Sequence, residues 1–115
     1  MGLDTYAYSS GKAMPAYLFA HIPPVLVGGM SSGNGDTASF RGKVYAPFLY
    51  NAIGLDLYQD EIPHETVARA ADLMEKWLIE NPSLDFEDIS REEVTALAQW
   101  LRVVANNGGT IVGWW

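Results

Sequence analysis

The chain has 115 residues, 49% of them apolar, with four tryptophans, no cysteine and a formal net charge of −7. That length suits one domain able to bury roughly two-thirds of its unfolded surface, and the absence of thiols excludes disulfides, thiolate zinc sites and a cysteine nucleophile. Twelve of the fourteen acids but only three of the seven cations lie between Asp56 and Glu93, an acidic surface that repels phosphate backbones and excludes direct, sequence-independent nucleic-acid binding through that half.

Met1 to Gly11 carries neither a basic n-region nor an apolar h-region, so no secretory signal is expected and cytoplasmic residence is the default. Tyr6 stands where myristoylation of Gly2 needs Ser or Thr. Leu3 to Tyr8 alternates apolar and polar residues and predicts a strand. Tyr17 to Val27 reads as a further strand broken at Pro23-Pro24, and the apolar-leaning run from Ala16 is too short to span a bilayer, so no membrane partner is expected. His21, among Tyr17, Leu18, Phe19 and Ile22, reads as a hydrogen-bonded core or edge residue rather than a catalyst.

The segment from Gly28 to Lys43 combines flexible backbone, free hydroxyls and two cations. Successive unobstructed amides at Gly33 and Gly35 could face an anion that Arg41 and Lys43 would neutralise. A Walker A loop does not fit, because six residues separate Gly35 from Gly42 where that motif has four, and Val44 replaces the magnesium-binding Ser or Thr. The expectation is therefore a surface loop with Gly33, Gly35, Arg41 and Lys43 as candidate ligand contacts and no cofactor.

A short helix is predicted from Val44 or Ala46 to Ile53, with Val44, Phe48 and Ala52 on one face and Gly54 as a left-handed cap. Pro47 lacks an amide donor and is expected in its first turn. Leu55 to Tyr58 alternates weakly and reads as a connection. Asp60, Glu61, His64 and Glu65 form the single concentration of metal-ligating or proton-transfer groups, and Asp60 and His64, four apart, could reach one point. A catalytic metal site needs about three protein ligands, whereas a helix start rich in acids for dipole reasons explains the carboxylates without a metal.

Two longer helices follow. From Pro63 to Glu80, Val67, Ala70, Ala71, Met74, Trp77 and Leu78 form one apolar stripe, with Pro63 in the first turn, Asp60 or a neighbour as cap and Asn81-Pro82 as the stop. From Ser90 to Asn106 the buried face is Val94, Leu97, Ala98, Leu101, Val104 and Ala105; Ser90 and Glu93 have capping-box spacing, Ile89 and Val94 staple spacing, and Gly108 follows the end. Glu87, Asp88, Glu92 and Glu93 read as helix-start charges and a solvated face. No Gly-x-Ser-x-Gly elbow is present. Thr110 to Trp115 is β-branched and aromatic after a Gly-Gly turn and predicts a strand. Successive strand side chains point to opposite faces, so one of Trp114 and Trp115 is expected to be available as a contact in self-association.

The opening Met1-Gly2-Leu3-Asp4-Thr5-Tyr6-Ala7, the block Ser39-Phe40-Arg41-Gly42-Lys43-Val44-Tyr45, the stretch Leu57-Tyr58-Gln59-Asp60-Glu61 and the ending Gly113-Trp114-Trp115 resemble small uncharacterised proteins from bacteriophages and environmental virus-rich sequence collections. The resemblance implies a phage accessory role inside a host cell and brings no activity, cofactor or catalytic residue with it.

The expected architecture is a single α+β domain: two to three amphipathic helices packed on a small antiparallel sheet formed by the chain termini, with Tyr17 to Val27 as a further strand. A helical bundle with an incidental ribbon is the alternative. The leading function is a non-enzymatic binding or assembly module, homo-oligomeric or with a protein partner. Its rival is a small hydrolase or ligand-binding protein for an anionic metabolite, with His64 as a base or ligand.

Overall fold

A computed structural model of the protein describes residues 4–9, 12–14, 16–19, 22, 39–59, 61–81 and 89–114. The chain ends pair with each other. Strand β1 (Asp4–Ser9) runs antiparallel to the last strand, β5 (Thr110–Trp114), with Tyr6 opposite Val112 and Ala7 opposite Ile111. The other edge of β1 is shared: β3 (Ser39–Arg41) pairs with its first half and β2 (Lys12–Ala13) with its end. Strand β4 (Glu61–Ile62) pairs with the free edge of β5. All these pairings are antiparallel.

Alternation sorts the sheet into two faces. Thr5, Ala7, Phe40, Ile62 and Ile111 are buried, while Tyr6, Tyr8, Thr110 and Val112 are half-buried and Glu61 is exposed. Three helices supply the apolar surface that the inner residues need: α1 (Gly42–Ile53), α2 (His64–Glu80) and α3 (Arg91–Asn106). The architecture is therefore α+β, three helices on a small antiparallel sheet with strands from both ends of the chain, as the periodicities predict.

Helix α3 buries half of its residues. Trp100 has no exposed surface and lies between Phe19, tilted at 5.7 Å, and Phe40, edge-on at 4.9 Å. Its first turn carries the capping box: Ser90 Oγ accepts from the Glu93 amide, and Glu93 Oε1 accepts from the Ser90 amide. At the far end the Gly108 amide donates to Ala105 O and the Gly109 amide to Val104 O, with Gly108 at φ +66. That is the Schellman pattern, which requires a left-handed residue where glycine carries no Cβ penalty. Helix α2 lies antiparallel beside α3. Arg91 donates to Asn81 O and Leu78 O at the end of α2, and Arg102 bridges Asp72 and Glu75 less than two turns before Leu78.

Three local expectations need correction. Ala16–Phe19 is a turn of 3₁₀ helix where a strand is predicted from Tyr17, and the rest of that predicted strand, Ile22 apart, lies outside the described residues. Its beginning coils because Phe19 packs into the core against Trp100, while β2 and β3 already occupy the outer edge of β1. Pro47 is the sixth residue of α1 and not in its first turn, because α1 starts at Gly42 as β3 ends. The bond Pro47 forgoes is to the carbonyl of Lys43, and burial of Tyr45, Ala46, Phe48 and Leu49 holds the helix through it. Pro63 is the residue before α2 and not its first: at φ −66, ψ 156 it continues the extended path of β4, and its carbonyl accepts from Thr66 and Val67. Pro63 offers no side-chain cap, and Asp60, the predicted cap, lies outside the described residues.

Candidate binding cleft

The buried stripe of α1, made of Gly42, Tyr45, Ala46 and Leu49 with Phe48 beside it, leaves Lys43, Pro47, Tyr50 and Asn51 on the exposed face. Gly54, at φ +72, ends the helix and turns the chain back. The return segment inserts Leu55 and Leu57 into the core, at 4% and 2% exposure, so by alternation Asp56 and Tyr58 face outward. Between this segment and α1 lies an open cleft of about 310 Å³ lined by Ala46, Pro47, Tyr50, Asn51, Asp56 and Tyr58.

Tyr50 is 61% exposed and Tyr58 47%, large aromatic surfaces to leave against water. Asp56 is held in place by the backbone that follows it. The Tyr58 amide donates to its Oδ1 at 2.9 Å, and Gln59 Nε2 donates to its carbonyl at 2.8 Å. Among the described residues, nothing engages Asp56 Oδ2.

A second and larger hollow, about 450 Å³, runs along the exposed stripe of α3 and is lined by Arg91, Glu92, Thr95 and Gln99. Arg91 is committed to the carbonyls at the end of α2. Gln99 Oε1 has no partner among the described residues, but it is shielded from solvent, so an occupant of the hollow could not reach it without rearrangement. The tyrosine cleft offers reachable chemistry and this hollow offers little.

The residues singled out from the sequence are distributed as follows. Arg41 ends β3, its backbone paired with Asp4, and Lys43 is exposed in the first turn of α1, one turn before Pro47 on the same stripe. Gly33, Gly35, His21, Asp60 and Trp115 lie outside the described residues. Trp114 ends β5 opposite Asp4. His64 opens α2, with Nδ1 3.2 Å from Gly109 O at the turn into β5. Glu61 accepts from the Thr110 hydroxyl at 3.4 Å. Among the described residues no group of three His, Cys, Asp or Glu side chains could hold a metal ion, and no helix is long and apolar enough to cross a membrane.

The titration of Glu93 is displaced by its setting. Burial pushes it upward, but hydrogen bonds from the Ser90 backbone and the Tyr45 hydroxyl, with the Ser90 side chain, outweigh that effect and hold it below the ordinary value. Its role is structural, since every one of these partners fixes α3. Arg102 is held more firmly protonated by hydrogen bonds to Glu75 and then Asp72.

Tyr50, Asp56 and Tyr58 are not singled out by sequence reasoning. The signal was present as an exposed i, i+3, i+4 set at Pro47, Tyr50 and Asn51, and as the alternation Leu55-Asp56-Leu57-Tyr58. The chain matches no protein-family model, no curated protein and no solved structure.

Proposed function

We propose that this protein is a non-enzymatic binding or assembly module that holds a partner polypeptide at the Tyr50–Tyr58 cleft. The observation that carries the reading is the pair of exposed tyrosines flanking a backbone-anchored carboxylate in a shallow cleft. Tyrosine contributes large contact area at low entropic cost and is enriched where proteins meet. Residue types of this kind suit recognition: none of the six lining residues is an activated nucleophile or a general base beside one. A phage accessory role agrees with a small acidic module that acts on another protein.

Capture of partners from the native host with the full chain tests this reading when run beside Tyr50→Ser and Tyr58→Ser. The expected result is one polypeptide retained by the wild type and lost with each variant, both variants remaining folded. Equal retention by all three proteins would remove the cleft from the interface. Self-association is part of the same reading, with Trp114 and Trp115 as contacts. Sedimentation of the wild type as a dimer or larger, and of Trp115→Ala as a smaller species, is expected; a monomer unaffected by Trp115→Ala would refute it.

A further inference from the structure

We infer that the Tyr50–Tyr58 cleft receives a cationic side chain, arginine or lysine, from its partner; this rests on the binding reading above and specifies its chemistry. The lining contains two tyrosines and one carboxylate and no cationic residue among those described. Aromatic faces carry the negative part of the ring quadrupole and attract an ammonium or guanidinium placed over them.

Asp56 adds a full charge at a defined place. Its Oδ1 is occupied by the Tyr58 amide at 2.9 Å, which orients the carboxylate and leaves Oδ2 for a charge-assisted hydrogen bond from an incoming donor. Pro47 and Ala46 supply apolar surface on which the aliphatic stem of a long basic side chain can lie. The volume of about 310 Å³ is near the lower limit for small-molecule pockets, a size for one side chain and its neighbours rather than a cofactor. Lys43 does not line the cleft.

The test is a set of ¹H–¹⁵N titrations of the full chain with four capped tripeptides, glycine flanking a central arginine, lysine, norleucine or glutamate. The arginine and lysine peptides are expected to shift the amides of Tyr50, Asn51, Asp56 and Tyr58 and to bind more tightly than norleucine. Asp56→Asn should weaken the arginine peptide roughly fivefold, as loss of a charge-assisted bond at an exposed site implies. Tyr50→Leu should weaken it by a smaller factor, with both variants retaining the wild-type melting temperature.

Equal binding of norleucine, or an arginine affinity unchanged in Asp56→Asn, would overturn the cation assignment while leaving the cleft as a binding site. A preference for glutamate would overturn it as well. If no peptide moved these amides up to its solubility limit, and partner capture were also indifferent to Tyr50→Ser, both readings would fall. Capture that depends on Tyr50 without any peptide shift would overturn the cation assignment alone.

Discussion

Tyr45 on α1 donates its hydroxyl to Glu93 Oε2 on α3 across 2.5 Å, joining residues 48 positions apart in sequence. The other oxygen of the same carboxylate accepts from the Ser90 amide at 3.0 Å. One side chain thus caps α3 and fastens α1 to it. The helix so fastened carries four of the six residues that line the candidate cleft.

Tyr45→Phe keeps the buried ring and deletes the hydroxyl. The expected loss is about 1–2 kcal/mol, the range for a hydrogen bond to a charged acceptor that is partly screened. Urea unfolding should show a lower midpoint with an unchanged slope. An unaltered midpoint would mean that water replaces the hydroxyl at no cost.

The pH dependence follows from the same carboxylate. Glu93 titrates below its ordinary value in the folded protein, so the unfolded chain binds its proton more readily as the solution is acidified. Its contribution is fully present above the unfolded pKa of about 4.3 and is lost as pH falls through the lower folded value. Wild type should therefore lose stability more steeply with acid than Glu93→Gln. Parallel stability profiles of the two proteins across that window would contradict the assignment.

Gly108 and Gly109 are adjacent, and alanine at each should fail for a different reason. At Gly109 a Cβ would lie 2.8 Å from Val104 Cγ1, 2.9 Å from Tyr8 O and 3.0 Å from Met14 Sδ. Such overpacking typically costs about 1–3 kcal/mol, and the displaced turn would carry with it the carbonyl that faces His64 Nδ1. At Gly108 the space is open but φ is +66, so the cost is backbone strain of about 1 kcal/mol. Gly109→Ala is expected to melt at the lower temperature, and the reverse order would count against the close approach of β1 to this turn.

Trp100 tests how the core is built. Its ring is fully buried between Phe19 and Phe40, yet its Nε1 has no hydrogen-bond partner among the described residues. Trp100→Ala should cost about 3–5 kcal/mol through the cavity it leaves. Trp100→Phe removes the unpaired donor together with part of the ring, so its cost should be well under half of that. Comparable unfolding midpoints for the two variants would show that the N–H has a partner after all.

How far the sequence reads depends on the range of the interaction. The capping box at Ser90 and Glu93, the glycine after α3 and the apolar stripe of α2 are local patterns, visible because their partners lie within a turn or two. The strands at the two ends were legible for the same reason, each having its own alternation. Ser39–Arg41 and Glu61–Ile62 were not, since three and two residues are too short to show a period and become strands through the edges of β1 and β5 beside them. Pro47 misled because proline propensity is a local preference, and tertiary burial on both sides overrides it.

By itself, the sequence determined the helices, the terminal strands, the α+β class and the placement of acidic charge, all consequences of spacing along the chain. Only the tertiary structure decided that Glu93 meets Tyr45 and that the edges of β1 and β5 are occupied by short strands. It also decided that Asp56 and Tyr58, which read as a connection, face Tyr50 across a cleft. The physical reason is that burying Leu55 and Leu57 turns their neighbours outward, and which residues those neighbours then face depends on packing rather than on spacing along the chain.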